Sequence, residues 1–230
     1  MSYLQANWNQ VLALAGEHLA IVAVAVALSA AIGVPLGILI AQVRPLGPWV
    51  LGTMGVFYLI PSLALFAILV PITGLGPDTA MIGLVLYAQL PIVRNTATGL
   101  IQVSPALLEA AEGMGMTRLQ RLALVELPVA APAIIAGLRV AAVMSVGVAT
   151  IAAYVGAGGL GTLILRGMQL LYPEMVVAGA LPAAVMAILV DLAFVLLQRF
   201  SSRHLAPAPQ TERRLPTARR KELTSAQEGA

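Results

Sequence analysis

Residues 102–127, QVSPALLEAAEGMGMTRLQRLALVEL, form the longest polar interruption between the apolar segments of this chain, and they contain their own helix signals. Ser104 can cap a helix that begins at Pro105, because proline lacks the amide hydrogen that would be unpaired at that position. Four apolar residues then share one helical face at the spacing i, i+3, i+4 and i+7, namely Leu107, Ala110, Ala111 and Met114. The pattern predicts a compact helical knob that stands outside the apolar segments.

The second half of this knob has a separate helix start. Gly113 and Gly115 are expected to break the first helix, and Thr117 with Gln120 forms the capping-box pattern that opens a second one. Pro128 is expected to end this second helix before the next apolar segment. Its apolar side consists of Leu119, Leu122 and Ala123. Small residues of the knob would let another backbone approach closely: Ala110, Ala111 and Gly115.

The rest of the chain has the composition of a membrane protein. Hydrophobic residues make up 60% of the sequence and charged residues 10%, whereas soluble domains carry about a quarter charged residues. Since a helical span takes roughly 20 apolar residues, the sequence predicts an all-α integral membrane bundle. Five spans are expected, at about 19–42, 49–72, 79–100, 132–155 and 175–199.

Both ends of the chain are expected to lie outside the spans. Residues 1–16 form a predicted periplasmic or interfacial segment, in which a short helix holds Trp8 at headgroup depth. The other apolar residues of that helix are Tyr3, Leu4, Val11 and Leu12. Residues 206–230 have too few apolar residues to pack and predict a disordered cytoplasmic tail. The basic cluster of this tail can either contact anionic lipids or remain solvated.

The basic residues predict the orientation, because Lys and Arg are retained on the cytoplasmic side during insertion. With the N-terminus outside, all but two of the 13 basic residues fall on the inner side. The exceptions are Arg166, in an outer loop, and Arg139, within the fourth span. The outer segments carry Glu17, Asp78 and Glu174 instead. The sequence therefore predicts an N-terminus outside and a C-terminus in the cytoplasm.

Several kinds of site are not expected. The chain has no cysteine, which excludes disulfides and thiolate metal sites. His18 and His204 are far apart and are expected near solvent, so they do not predict a metal pair. No GxxxxGK[ST] phosphate loop occurs, and we expect neither ATP binding nor another cofactor in this chain. The net charge of +3 mostly reflects the basic tail and is no signature of nucleic-acid binding.

Residues 156–161, GAGGLG, match the GxGxxG pattern of dinucleotide sites, but a helical membrane segment lacks the required βαβ setting. At the outer end of the fourth span, these glycines would permit a turn and a close approach of helices. They could also form part of an outer gate, for which Gly158 and Gly159 are the candidates.

Four further side chains are candidates for the translocation path or its gate. Arg139 is expected in the inner half of the fourth span, where a charge is costly unless it faces water or a partner. It would therefore line a gate or form an ion pair with Asp191. The aromatic candidates can attract a quaternary ammonium by cation–π interaction or can serve only in packing, and they are Tyr58, Tyr87 and Tyr154.

The knob resembles the EAA loop of ABC importer permeases. Glu109, Ala110 and Ala111 are followed after three residues by Gly115, and after nine more by Val125, one residue and Leu127-Pro128. This spacing is similar to the family pattern at every motif position. The strings PIVRNTATGL, EAAEGMGM and IAAYVGAGGLG further resemble permeases of the glycine betaine, carnitine and choline family. The resemblance covers about residues 17–198.

The resemblance implies a five-span, MetI-like type I permease core over residues 17–198, in a bacterial inner membrane. It implies that the EAA loop docks on a dimer of ATP-hydrolysing subunits, which bind the ATP. The coupling residues would be Glu109, Ala110, Ala111, Gly115, Leu127 and Pro128. A second permease copy or homologue, and a periplasmic or lipoprotein substrate-binding protein, would complete the importer of a small osmoprotectant such as glycine betaine, carnitine or choline.

Other functions remain open at this point. The EAA loop is shared among type I permeases, so methionine or another small amino acid is an alternative substrate. An ion-coupled secondary transporter and a non-transporting regulatory subunit are alternatives of a different class. In each case the chain is expected to be a non-catalytic membrane subunit.

Overall fold

The computed structural model describes residues 2–203, which form helices and connecting turns without a strand. The predicted tail at 206–230 and His204 lie outside the described residues. Five helices precede the knob: α1 (Ser2–Ala6), α2 (Trp8–Gln42), α3 (Gly47–Leu59), α4 (Ser62–Thr73) and α5 (Pro77–Ile101). The knob contains α6 (Pro105–Gly113), α7 (Arg118–Arg121) and a π turn (Leu122–Glu126). The chain continues through α8 (Leu127–Ala152), a 3₁₀ turn (Ala153–Val155), α9 (Gly161–Gln169) and α10 (Pro173–Arg203).

Helix α5 lies at the centre of the bundle, between α2 and α8. Helices α3 and α4 pack against it from a third side, while α10 packs on α8 and α9. The residues of α5 between Tyr87 and Val93 are all buried, including the polar Gln89. Neighbouring helices, and not lipid, therefore surround the middle of α5.

Small residues bring α2 and α5 together. A buried stripe runs along α2 with one member every four residues: Ala25, Ser29, Gly33 and Gly37. A Cβ atom at Gly37 would lie 2.5 Å from the Cβ of Thr96, and one at Gly33 would lie 2.8 Å from a methyl of Ile92. Because lipid tails are as apolar as the helices, such close packing supplies the association that hydrophobic burial supplies in water.

Three helical stretches of the described residues are long and apolar enough to span a membrane by themselves: Trp8–Gln42, Arg118–Val155 and Pro173–Ser201. The bent pair of α3 and α4 adds a fourth. Helix α5 is not among them, since its middle carries polar residues such as Gln89, Arg94 and Asn95. The five predicted spans correspond to α2, the bent pair, α5, α8 and α10, and their number stays a prediction.

The predicted second span consists of two helices that meet at an angle of 98° around Pro61, which has no amide hydrogen to donate and disfavours helical geometry at Ile60. One sequence-based expectation about the helices is wrong, because the predicted surface helix is shorter than expected. Trp8, Val11 and Leu12 already belong to the long helix α2, and Val11 is buried against Leu160 and Leu163.

Replacement of Gly37 by alanine should destabilise the bundle by about 1–3 kcal/mol, because the added methyl overpacks the contact with Thr96. The melting temperature of the detergent-purified protein measures this effect. Gly147→Ala is the matched control, since no atom lies within 4 Å of a Cβ built at that helical glycine. Equal melting temperatures of the two variants would contradict the close-packing account.

Candidate functional site

Helix α6 of the knob begins as the sequence predicts, with Pro105 as its first residue. Ser104 occupies the capping position, but its side chain makes no capping hydrogen bond. The predicted apolar face is only partly covered by the chain itself. Ala111 is buried, whereas the other three residues of that face are exposed: Leu107, Ala110 and Met114.

Gly115 ends α6 through its backbone conformation. Its φ of +79° lies in the left-handed region, which side-chain-bearing residues enter only at a cost of about 1–2 kcal/mol. The amide of Gly115 donates to the carbonyl of Glu112 at 2.9 Å, and that of Met116 donates to Ala111 at 3.2 Å. These two bonds form a Schellman motif, which pairs carbonyls that the end of a helix leaves free. The predicted helix break is thus confirmed, and its determinant is Gly115, since Gly113 is still helical.

The second start signal is also confirmed. The amide of Gln120 donates to Oγ1 of Thr117 at 3.3 Å, and the amide of Thr117 donates to Oε1 of Gln120 at 2.9 Å. The expectation that Pro128 ends this helix is wrong, because residues from Arg118 to Val155 form one helical stretch. A π turn precedes the proline, and the amide of Leu127 donates to Leu122, five residues back. The wider turn accommodates a residue that lacks an amide hydrogen.

Arg121 connects the two halves of the knob. Its Nε donates to Oε1 of Glu126 at 2.8 Å, and its Nη1 donates to Glu112 of α6. Residues five apart do not face each other in a regular α-helix, so only the π turn brings Arg121 and Glu126 together. No α-helical spacing in the sequence indicates this contact for that reason. On one side of the knob lies a cavity of about 670 Å³, whose wall includes Arg44, Arg118 and Arg121. We call this end of the bundle the basic end.

Two of the three candidate tyrosines meet where the second span bends. The rings of Tyr58 and Tyr87 form an edge-to-face pair with their centroids 6.4 Å apart. The hydroxyl of Tyr87 donates to the carbonyl of Ile60, which the helix break leaves without an intrahelical partner. Tyr58 is partly exposed and donates to Sδ of Met144 at 3.3 Å. Tyr87 therefore supports the broken helix, while Tyr58 keeps an accessible ring.

The glycine-rich segment 156–161 turns the chain at the opposite end of the bundle, which we call the outer end. Gly156, Gly158 and Gly159 all have positive φ angles, so the turn interpretation of the glycines is supported. Glu17 of α2 accepts a hydrogen bond from the amide of Gly159 at 2.9 Å. A Cβ at Gly158 would clash with Glu17. The role of Gly158 and Gly159 in a gate stays a prediction.

His18 lies beside this turn and is fully buried, so the expectation that it lies near solvent is wrong. Its Nε2 lies 3.1 Å from the carbonyl oxygen of Val146 in α8. The third candidate tyrosine, Tyr154, is exposed in the 3₁₀ turn after α8. No sequence pattern indicated the contacts of Glu17 and His18, because their partners lie more than 100 positions further along the chain.

Arg139 forms an ion pair with Asp191 of α10. Its Nε donates to Oδ1 at 2.6 Å and its Nη2 to Oδ2 at 2.8 Å. This two-bond geometry is the preferred one between a guanidinium and a carboxylate. The interpretation of Arg139 as the partner of Asp191 is thereby supported, and the pair joins α8 to α10.

Residues 33–207 match the model of the family "Binding-protein-dependent transport system inner membrane component". The chain belongs to this family. Members that it resembles include the choline transport system permease protein OpuBD of Bacillus subtilis, at 44% identity over 86% of this chain and 88% of that protein. The glycine betaine/carnitine/choline permease OpuCD of the same organism is 43% identical over 86% of this chain and 87% of its own length.

Two further relatives support the assignment of this chain to the inner membrane component family. The osmoprotectant import permease OsmW of Salmonella typhimurium is 45% identical over 82% of this chain and 90% of that protein. A chain of the MetNI methionine ABC transporter, solved in inward-facing conformations, superposes with a TM-score of 0.74 at 25% identity, covering 83% of this chain and 95% of that one. The resemblance to osmoprotectant permeases and the MetI-like helical fold are therefore confirmed.

Within this permease, removal of the Tyr87 hydroxyl should be costly. Tyr87→Phe should cost about 1–3 kcal/mol of stability, because it leaves the Ile60 carbonyl, which has no intrahelical partner at the break, without its hydrogen bond. Thermal unfolding in detergent measures the loss. The matched control is Tyr58→Phe, whose hydroxyl contacts only the weak acceptor sulfur of Met144. If the control loses as much stability as Tyr87→Phe, the hydroxyl of Tyr87 has no special role at the bend.

Proposed function

We propose that this chain is the transmembrane permease subunit of an ATP-binding-cassette importer for a small osmoprotectant. Relatives named for choline, carnitine and glycine betaine transport are 38–45% identical to it over more than four fifths of its length. The chain of the methionine transporter is only 25% identical. Among the two substrate classes, the similarity therefore favours quaternary ammonium solutes over methionine.

The proposal of an ATPase partner rests on the exposed apolar surface of the knob. Leu107 and Met114 are 46% and 70% exposed, and Leu119 and Leu124 are 75% and 65% exposed. Outside a bilayer, several large apolar side chains on one small unit indicate a surface that another protein covers. The partner in this proposal is the ATP-hydrolysing subunit, which binds the nucleotide, and Glu109, Ala110, Ala111, Gly115, Leu127 and Pro128 carry the coupling.

The proposed orientation has the knob in the cytoplasm and the N-terminus outside. Arg44, Arg118 and Arg121 come from separate parts of the sequence but line one cavity beside the knob. Glu112 and Glu126 line the same cavity, but the positive-inside rule counts basic residues and not net charge, so this group of arginines supports a cytoplasmic location for the basic end. The glycine turn, with Glu17 bound to it, would then face the periplasm, where a substrate-binding protein delivers the solute.

A second permease subunit, either a copy or a homologue, would complete the pathway. Helix α3 contains no buried residue in this chain. Trp49, Leu59 and Ile72, from α3 and α4, are each exposed by about four fifths. A partner permease against this side would enclose a path beside the bend of the second span, where Tyr58 has an accessible ring. The path would open alternately to each side of the membrane as the ATPase acts on the knob.

Substitution of Gly115 tests the coupling role of the knob. Gly115→Val should lower ATP-dependent uptake by tenfold or more and weaken copurification of the ATPase, because a β-branched residue resists the left-handed conformation that ends α6. The measurements are solute uptake and recovery of the ATPase with the tagged permease.

Gly113→Ala is the control for this substitution. Gly113 is helical, and a Cβ there meets no atom within 4 Å. We expect its uptake to equal that of the wild type. Normal transport by Gly115→Val would rule out the proposed dependence on the shape of the knob.

The substrate can be identified in vesicles that contain the complete complex. Labelled glycine betaine, carnitine or choline should accumulate only when ATP is supplied on the side of the membrane that holds the ATPase. Labelled methionine should not accumulate under the same conditions. Accumulation that requires an ion gradient and no ATP would instead indicate a secondary transporter. A cell that lacks this chain but keeps normal uptake of all four solutes would indicate a regulatory subunit.

A further inference from the structure

Helix α6 is attached differently to the spans on its two sides. Toward α5, the link is the short non-helical segment between Ile101 and Pro105. The cavity of about 670 Å³ lies beside this link, and its wall includes Leu100 and Ile101 from α5, Leu108 and Glu112 from α6, and Arg118, Arg121 and Glu126 from the segment before α8. Among the described residues, α6 packs on α7 and the π turn more than on α5.

Toward α8, Arg121 supplies a direct polar connection. Its guanidinium bonds the carboxylate of Glu112 in α6 with one nitrogen and that of Glu126, just before α8, with another. The side chains of Arg121 and Glu126 are 22% and 15% exposed, whereas that of Glu112 is 61% exposed. A planar guanidinium holds two carboxylates in a defined geometry, which a single ammonium group does not.

The segment that carries Arg121 is continuous with the rest of α8. Residues from Arg118 to Val155 form one helical stretch through the π turn. Further along this stretch, Arg139 is bonded to Asp191 of α10 by two hydrogen bonds. Glu126 is thus joined to α10 by a continuous helix and one two-bond ion pair, which would carry a displacement of α6 in that direction.

We propose that Arg121 is a positioning residue that fixes α6 to α8, so that the ATPase moves the fourth and fifth spans while the link to α5 yields. This inference rests on the proposed function. In this proposal Arg121 contacts neither the ATPase surface nor the solute. Its role is to keep the coupling helix and α8 in one rigid unit.

The experiment compares solute transported per ATP hydrolysed in vesicles that contain the complete complex. Arg121→Gln, Glu112→Gln and Glu126→Gln each remove one or both bonds of the link. We expect the ratio to fall by about three- to tenfold in each variant, a typical range for substitutions that alter coupling between sites. ATP hydrolysis and copurification of the ATPase should remain near the wild-type level. Arg121→Lys should give an intermediate ratio, because it keeps the charge without the planar fork.

Arg118→Gln is the matched control. Arg118 lies on the same short helix and lines the same cavity, but it is in none of the ion pairs between described residues. Its transport ratio should equal that of the wild type. An unchanged ratio in the three link variants would overturn the proposal, and so would a parallel loss of uptake, ATP hydrolysis and assembly. Failure of the wild-type complex to transport any of the tested solutes with ATP would instead refute the proposed function.

Discussion

The bundle depends on the close approach of α5 to α2 and α8. In a bilayer, burial of apolar surface between helices gains little over contact with lipid, so the helices must associate through tight packing and polar contacts. Gly33 and Gly37 of α2 lie directly against Ile92 and Thr96, and Gly137 of α8 lies against the backbone carbonyl of Pro91. These contacts place α5, the most polar of the long helices, where its neighbours cover it. The other helices then pack around this core.

Proline and glycine breaks set the local shape of the functional regions, and tertiary contacts stabilise each break. The bend at Pro61 leaves the carbonyl of Ile60 unpaired within its own helix, and the hydroxyl of Tyr87 binds it. The turn at Gly158 and Gly159 is bonded to Glu17 of α2. In both cases a backbone group that the break leaves without a helical partner is bonded by a side chain from another helix.

The knob combines a continuous helical connection to α8 with an exposed apolar surface. Its outline follows from local signals, since Pro105 begins α6, Gly115 ends it and the Thr117–Gln120 box opens the next helix. The same unit then runs without interruption into the fourth span, through a π turn that accommodates Pro128. A partner that binds the exposed face of α6 would therefore act on a unit that is continuous with the long helix α8.

The sequence by itself determined the membrane class, the EAA-type spacing of the knob and its helix starts and stops, because hydrophobic runs, caps and glycine turns act over a few neighbouring residues. It also indicated the partner of Arg139 as one of two interpretations. Only the tertiary structure decided that His18 is buried, that the second span is bent by 98° and that Arg121 bonds both Glu112 and Glu126. The burial of His18 depends on helices distant in sequence that pack around α2. The contact of Arg121 with Glu126 depends on a π turn, which changes the faces of the helix in a way that α-helical spacing does not predict.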